Sequence, residues 1–161
     1  MTTDNEMVYL RRCIELAVEA LEAGDAPFGS VLVDGNGKVL QEDRNRANTV
    51  DATYHPEIAV TKCAAQNMTP EARAKAVVYT SGEHCAMCSA AHAWAGLGRI
   101  VYISSSKQLS KWMDEMGVSS TSPIHSLSIQ EVAPNVPVEG PIAGLDEEIR
   151  ALQQRSFQKN K

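Results

Sequence analysis

Residues 76–104 read AVVYTSGEHCAMCSAAHAWAGLGRIVYIS, in which two short apolar runs flank an alanine-rich segment. The runs AVVYT (76–80) and RIVYIS (99–104) are rich in β-branched and aromatic residues, which favour strands. Between them, CAMCSAAHAWAG (85–96) has a helical composition and ends in glycine, a common helix terminator. Strand, helix and strand in this order are typical of a βαβ crossover. The sequence therefore predicts an α/β fold.

A β-hairpin is expected on the N-terminal side of this crossover. SVLVD (30–34) and KVLQED (38–43) flank GNG (35–37), a strong turn signal between two β-like runs. Before the hairpin, apolar residues recur at helical spacing over residues 8–23, and Gly24 is placed to end that helix. An antiparallel hairpin followed by βαβ crossovers predicts a mixed central sheet that is covered by helices.

The pattern that follows residue 104 is less regular. LSKWMDEMG (109–117) predicts a short helix, SLSIQEVA (126–133) an edge strand, and residues 145–157 a last helix. The proline-rich PNVPVEGP (134–141) is linker-like. This region lies too close to the end of the chain to suggest a second domain.

Composition narrows the classes of function. The chain has 161 residues, 22% of them charged, and a formal net charge of -5, as is ordinary for a soluble globular domain. An acidic balance lacks the basic footprint of polyanion binding, so a nucleic-acid partner is not expected. No apolar run approaches the ~20 residues of a membrane span, and MTTDNEM (1–7) lacks a signal-peptide core. We expect one cytoplasmic domain over residues 1–161, with a core at about 5–132 and a C-terminal linker and helix at 133–161.

The four cysteines fall into two kinds. Without a secretion signal, reduced thiols are expected rather than disulfides. Cys13 and Cys63 lie on the apolar faces of predicted helices and are interpreted as small core residues. Cys85 and Cys88 are one helical turn apart at the start of a helix, so both sulfurs point the same way. A helix N-terminus stabilises thiolates, the form that binds metal, and a redox C-x-x-C is the alternative interpretation.

TYHPEIAV (53–60) begins another helix, expected from Pro56 to about Asn67. Proline suits the first helical position and disfavours helical geometry for the residue before it, so His55 is expected at the cap. Glu57 then lies in the first turn, where the helix dipole stabilises a carboxylate. Taken alone, this stretch is an ordinary helix start. A redox pair at 85–88 would leave the combination of His55 and Glu57 unexplained.

Two thiolates and one imidazole leave a fourth tetrahedral position open, which is typical of catalytic zinc rather than structural zinc. We therefore predict one Zn²⁺ per chain, bound by His55, Cys85 and Cys88. Glu57 is not needed as a ligand and is predicted to take a proton from the zinc-bound water.

H-x-E followed by C-x-x-C is the signature of zinc-dependent base deaminases. The sequence resembles the cytidine deaminase-like superfamily, especially its guanine, cytosine and tRNA-adenosine deaminases. The resemblance covers about residues 5–105 and includes APFGSV (26–31), DATYHPE (51–57) and YTSGEHCAMC (79–88). It implies a three-layer α/β/α fold and a homodimer, for which the alanine-rich helix at 89–96 is suited to pack against its partner.

Two positions depart from the pattern of this family. His84 stands where proline usually precedes the first cysteine, and Pro56 stands where alanine is more usual. Neither departure removes a ligand. His84 is expected to change the polarity of the substrate pocket or its contacts with the leaving group.

The resemblance also assigns substrate contacts. Asn45 matches an asparagine that hydrogen-bonds the substrate, and Phe28 matches a residue that packs against the base. A turn-forming asparagine and a core phenylalanine are the alternatives. Asp114 and Glu115 lie near the register where guanine deaminases place an acid, and Trp112 is a candidate apolar wall. The alternative for all three is an ordinary amphipathic helix.

The function predicted from these residues is hydrolytic deamination of a small amino-substituted heterocycle, a nucleobase or nucleoside, with guanine-like substrates favoured. A tRNA adenosine-to-inosine deaminase and a cytosine deaminase are the alternatives within this family. A non-catalytic zinc-binding module is the alternative outside it, and it gives Glu57 no role.

Overall fold

A five-stranded mixed sheet runs through the centre of the computed structural model, which describes residues 3–159. Its strands are β1 (Gly29–Val33), β2 (Val39–Arg44), β3 (Val77–Gly82), β4 (Ile100–Ser104) and β5 (Val138–Glu139). They are ordered β2-β1-β3-β4-β5 across the sheet. β1 is antiparallel to β2 and β3, whereas β3, β4 and β5 are parallel. The predicted hairpin and crossover are confirmed.

Helices cover both faces of the sheet. They are α1 (Asp4–Glu22), α2 (Pro56–Asn67), α3 (Pro70–Lys75), α4 (Ala86–Ala95), α5 (Ser106–Glu115), α6 (Ile129–Val132) and α7 (Leu145–Lys159). α7 contacts both α1 and α5, and α2 packs against α4. Over residues 3–159, no helix combines the length and the apolar character that crossing a bilayer requires.

Side chains along the strands point alternately to the two faces of the sheet, where they form two separate apolar clusters. Val31, Tyr79 and Val101 pack with α1 and α7 in the larger apolar cluster. Leu32 and Val78, which point to the other face, pack with residues of α2 in a second cluster. Successive strand side chains point to opposite faces, so neighbouring residues of one strand serve different layers. The result is the predicted three-layer α/β/α arrangement.

Close contact between α1 and the sheet depends on a glycine. A Cβ atom built at Gly29 would lie 2.6 Å from the carbonyl oxygen of Cys13 and even closer to the Cβ of Leu16. A larger residue would push α1 away from β1, because real Cβ atoms do not approach other atoms so closely. Gly29 therefore lets the helix sit directly against the start of the strand.

Two expectations for the C-terminal third are wrong. SLSIQEVA (126–133) contains the short helix α6 rather than an edge strand. Ser128 accepts a hydrogen bond from the Glu131 amide, and Glu131 accepts one from the Ser128 amide, so a capping box starts a helix here. The edge strand is β5, which lies inside the segment 134–141 that was expected to be a linker.

The last helix is an integral part of the larger core. Leu145, Ile149 and Leu152 of α7 are buried in the same cluster as residues of α1. Residues 145–157 were predicted to be helical, and the structure confirms this. The short helix α3 was not predicted, although Thr69 and Pro70 supply a cap and a first helical residue.

Candidate active site

His55 occupies the N-cap position of α2. Its backbone is extended, with φ of -93° and ψ of 144°, and Pro56 takes the first helical position. The imidazole is half-buried and faces the start of α4, where its Nδ1 atom lies 3.6 Å from the sulfur of Cys85. The hydrogen bond with Cys85 raises the pKa of His55 against the opposing effect of burial.

Cys85 and Cys88 complete a compact group of donor atoms. Cys85 caps α4, and Cys88 lies one turn later and is fully buried. The two sulfurs are 3.6 Å apart, and Cys88 Sγ is 3.5 Å from His55 Nδ1. The hydrogen bond between the two thiols, supported by His55, lowers the pKa of Cys85 to about 4 although burial opposes it. The same contact with Cys85, together with burial, raises the pKa of Cys88.

This triangle has the dimensions of a tetrahedral metal site. Zinc bonds of about 2.3 Å to sulfur and about 2.0–2.1 Å to nitrogen separate two sulfurs by about 3.8 Å and sulfur from nitrogen by about 3.6 Å. The observed separations of 3.5–3.6 Å agree with these values. Within residues 3–159, His55, Cys85 and Cys88 are the cluster of three or more such donors that could hold an ion.

Glu57 is buried beside the triangle, with 5% of its surface exposed. Its Oε1 atom lies 3.3 Å from the hydroxyl of Ser30 and 3.2 Å from the hydroxyl of Thr80. The carboxyl group also contacts the thiol of Cys88. Burial raises the pKa of Glu57 to about 6, against the attraction of His55. A buried carboxyl group with fixed neighbours is suited to accept and donate protons.

Ser30 and Thr80 were not singled out in the sequence, although a signal was present. Both are fully buried polar residues in strands that are otherwise mostly apolar, and their hydroxyls are 2.9 Å apart. They occupy the face of β1 and β3 that points towards α2, directly opposite each other in the register. A polar residue at a buried strand position requires a partner, and here the partner is Glu57.

His84 lies beneath the site rather than at its surface. The residue is fully buried, and its ring meets that of His92 edge-on with centroids 5.5 Å apart. His92 is held by a 2.7 Å hydrogen bond between Nε2 and the carbonyl oxygen of Gly98. Neither ring nitrogen of His84 has a partner within the described part of the chain, and burial lowers its pKa well below the usual value. The effect of His84 on the polarity of the substrate pocket or on contacts with the leaving group stays a prediction.

Asn45 and Phe28 lie together at one end of the hairpin. The Asn45 amide donates to the Phe28 carbonyl at 3.0 Å, and the Asn45 side-chain oxygen accepts from the Ala47 amide at 2.9 Å. Asn45 therefore shapes a local turn through its side-chain oxygen, and its contact with the substrate stays a prediction. The Phe28 ring is half-buried and packs over Gly82, where a Cβ atom would lie 2.8 Å from its Cε1.

The structure does not bring Trp112, Asp114 and Glu115 to the site. Trp112 is buried in the larger core cluster, on the face of the sheet opposite Glu57. Glu115 forms an ion pair with Arg150 of α7 at 2.8 Å, and Asp114 is exposed. In the sequence these residues follow β4 closely. The sequence does not show on which side of the sheet α5 packs.

A pocket of about 530 Å³ lies instead between the start of α4 and the irregular segment after α5. It is lined by Ala86, which follows Cys85, and by Ser122, Pro123, Ile124, His125 and Leu127. Because no periodic pattern marks the segment, the sequence gave no reason to place it next to the start of α4.

Residues 4–145 match the family model of the MafB19-like deaminases. The chain belongs to this family. MafB19-like deaminases are enzymes that hydrolyse C–N bonds, so the enzyme class and the superfamily predicted from the motifs are confirmed.

Individual relatives of this MafB19-like deaminase act on different substrates. A probable cytosine deaminase of Schizosaccharomyces pombe is 32% identical over 140 residues, which are 86% of this chain and 85% of the relative. A tRNA-specific adenosine deaminase of Agrobacterium fabrum is 39% identical over 94 residues, 55% of this chain and 61% of the relative. The structure of a guanine deaminase from Nitrosomonas europaea covers 98% of this chain and 86% of its own at a TM-score of 0.71, with 16% identity. At that identity the likeness concerns the fold.

Proposed function

We propose that this protein is a zinc-dependent hydrolytic deaminase of a small amino-substituted heterocycle, either a nucleobase or a nucleoside. The observation that carries the proposal is the buried carboxyl group of Glu57 beside the triangle of His55, Cys85 and Cys88. A structural metal site needs no such acid. A hydrolytic site needs one, because protons must move between water, a ring nitrogen and the leaving amine.

One zinc ion per chain would be held by Nδ1 of His55 and by the sulfurs of Cys85 and Cys88. When bound, zinc acts as a Lewis acid that makes water a nucleophile near neutral pH. Both thiols must lose their protons to become ligands: the pKa of Cys85 is already lowered to about 4, and the positive charge of a bound zinc ion would favour the loss of the second proton, from Cys88.

Glu57 would carry the protons of the reaction. Water attacks the ring carbon that bears the amino group, and Glu57 takes a proton from that water and delivers it to the ring nitrogen. The C–N bond then breaks, ammonia leaves with a proton supplied through Glu57, and a carbonyl group remains. Ser30 and Thr80 hold one carboxyl oxygen, so the group stays in place during these transfers.

The preference for guanine loses its main support. Asp114 and Glu115 were expected to accept protons from guanine, but the first is exposed and the second pairs with Arg150 away from the triangle. Guanine, cytosine and related amino-substituted bases all remain within the proposed substrate class. Asn45 and Phe28, near the end of β3, are the proposed contacts for the base.

Deamination of adenosine in tRNA is the second candidate function. It is favoured by the similarity to the A. fabrum enzyme. The formal net charge of -5 opposes it, because affinity for RNA comes largely from contacts between basic residues and phosphates.

A substrate screen with a metal assay tests the proposal. Ammonia release should be measured over a panel of amino-substituted bases and nucleosides, with inosine formation in folded tRNA followed in parallel. We expect turnover of at least one free base. Inosine formation without turnover of any small substrate would establish the second candidate instead.

The ligand assignment has a matched control. Cys88→Ala should lose bound zinc, whereas Cys63→Ala, which changes a half-buried cysteine of α2 outside the triangle, should keep a full equivalent. Retention of zinc by Cys88→Ala would remove the proposed site.

We also propose that two copies associate through the outer face of α4. Trp94 is 91% exposed there, and its neighbours on the helix are small alanines without charge. A large exposed aromatic on a face of small residues is suited to close packing against a second copy. Sedimentation should show a dimer at micromolar concentration and a monomer for Trp94→Asp. A monomeric parent protein would contradict this assignment.

A further inference from the structure

We propose that Glu83 is a positioning residue that joins the starts of two helices and so fixes the wall of the pocket next to Ala86, and that a part of the substrate beyond the base contacts at Asn45 and Phe28 enters this pocket. Its carboxylate accepts hydrogen bonds from the backbone amides of Ser106, the first residue of α5, and Ile129, the first residue of α6. Each bond is 2.9 Å long, and each uses a different oxygen. Glu83 itself lies two residues before Cys85 in the sequence.

Among residues 3–159, the amide of the first residue of each helix has no hydrogen-bond acceptor other than Glu83. In α5, Ser105 and Gln108 form a capping box, and in α6, Ser128 and Glu131 form another. A capping box satisfies the amides of the N-cap and third positions, not that of the first position. Glu83 supplies the missing acceptor at both helices, and a carboxylate bound to backbone amides makes strong, short hydrogen bonds.

The segment that forms one wall of the pocket connects the two joined helices in the chain. Residues 119–127 lie between α5 and α6 without regular secondary structure, and their hydrogen bonds to described residues stay within the segment. Five of them form the pocket together with Ala86 at the start of α4. A segment whose hydrogen bonds are all internal takes its position in the fold largely from its two ends. Its C-terminal end is fixed by the buried side chain of Ile129 and by the bond from its amide to Glu83.

Glu83 is therefore a direct link between the loop that leads to Cys85 and the segment that lines the pocket with Ala86. The Glu83 amide donates to the Ser104 carbonyl at 2.8 Å, which ties the same residue to the end of β4. A shift of this residue would move the wall relative to the triangle without altering the triangle itself. The expected role is to set the width of the pocket, and this inference rests on the proposed deaminase function.

Glu83→Gln tests the inference, with Glu131→Gln as the control. Glutamine keeps the shape but offers one acceptor oxygen, and its amide group would face an N–H donor at the other helix. Glu131 also accepts a backbone amide at the start of α6, but it does not reach the loop before Cys85. We expect Glu83→Gln to keep its zinc, raise KM about tenfold and change kcat much less. Glu131→Gln should leave KM near the parent value.

Hydrogen exchange gives a second readout that needs no substrate. In Glu83→Gln, the amides of Ser106 and Ile129 should exchange about tenfold faster, while those of α2 stay unchanged. If no base is turned over by the parent protein, the proposed function fails, and the exchange rates alone decide the inference. Unchanged KM and exchange, or loss of zinc, would overturn it. If Glu83→Gln does not fold, Glu83→Asp, which keeps both oxygens on a shorter stem, should show the same pattern more weakly, and its absence would count equally against the proposal.

Discussion

Two helices of this protein start with the same dipeptide in very different surroundings. α2 begins with His55-Pro56-Glu57 and α3 with Thr69-Pro70-Glu71, and each has an extended cap residue followed by proline at the first helical position. Thr69 accepts a hydrogen bond from the Ala72 amide at 3.2 Å, whereas the His55 side chain makes no cap hydrogen bond within the described chain. Glu71 is exposed and Glu57 is buried.

The first turn of α3 has residues that stabilise a helix, whereas that of α2 has residues suited to a catalytic site. A Thr cap typically stabilises a helix by about 1 kcal/mol, and burying a carboxyl group is costly unless it has partners. α2 lacks the stabilisation of a Thr cap and bears the cost of a buried carboxyl group. Ser30 and Thr80 reduce that cost because they donate hydrogen bonds to Glu57. Broken local rules of this kind tend to mark functional sites in natural proteins.

The largest expected effect is the loss of turnover in Glu57→Gln. Glutamine preserves the shape and the hydrogen bonds but cannot move a proton, so kcat should fall about 10²–10⁴-fold with zinc retained. Glu71→Gln makes the same change at the other Pro-Glu start and should leave turnover unchanged. Assays on the best base from the screen check both. Near-native activity of Glu57→Gln would end the proposed mechanism.

Exchanging the caps sharpens the comparison. His55→Thr gives α2 the cap of α3, so it should lose zinc, and its unfolding free energy should exceed that of the metal-free parent by about 0.5–1 kcal/mol. Thr69→His should lower stability by a similar amount without binding metal. Elemental analysis and urea unfolding measure the two quantities. The comparison breaks if His55→Thr keeps its zinc.

The pH dependence of stability should distinguish the buried acid. Burial raises the pKa of Glu57 in the metal-free protein from the ordinary 4.5 to about 6, so the folded state binds this proton more tightly than the unfolded state. The resulting stabilisation is full below the unfolded pKa and is lost as the pH rises through about 6. The metal-free parent should therefore lose about 2 kcal/mol relative to Glu57→Gln between pH 4 and pH 8.

Urea unfolding of the metal-free proteins across this range measures the effect. Glu71→Gln, unfolded in parallel, controls for the amide substitution itself. A parallel pair of stability curves for the parent and Glu57→Gln would show that burial does not perturb this carboxyl group.

The last expected effect concerns the partners of Glu57. Thr80→Val removes a hydroxyl 3.2 Å from the carboxyl oxygen, and kcat/KM should fall about tenfold because the group is held less firmly. Thr61 of α2 is also buried, but its hydroxyl has no partner among the described residues. Thr61→Val should therefore be neutral or slightly stabilising, with unchanged activity. Equal effects of both substitutions would show that Thr80 acts only through packing.

The features that the sequence revealed are local ones. The positions of His55, Cys85 and Cys88 follow from a proline and from a spacing of one helical turn, which act over a few residues. Helix starts and short spacings depend on neighbouring backbone groups, so they can be read before the fold is known. The hairpin and the βαβ crossover were predictable for the same reason.

The features that the sequence did not reveal depend on distant contacts. Ser30 and Thr80 meet Glu57 across 27 and 23 positions, and only the register of β1 and β3 brings them together. β5 has two residues and exists because β4 offers it a pairing edge. Asp114 and Glu115 were misplaced because helical periodicity does not indicate which of two layers a helix joins.

The two outer strands of the sheet have a consequence for behaviour in concentrated solution. β2 carries Gln41, Glu42, Asp43 and Arg44 in sequence, and β5 is only two residues long, with Glu139 paired to Arg99 at 2.9 Å. Charged side chains and short outer strands prevent a further chain from adding to a sheet by backbone pairing. Fibrous growth from the folded state should therefore be suppressed, even at concentrations where copies of the protein meet frequently.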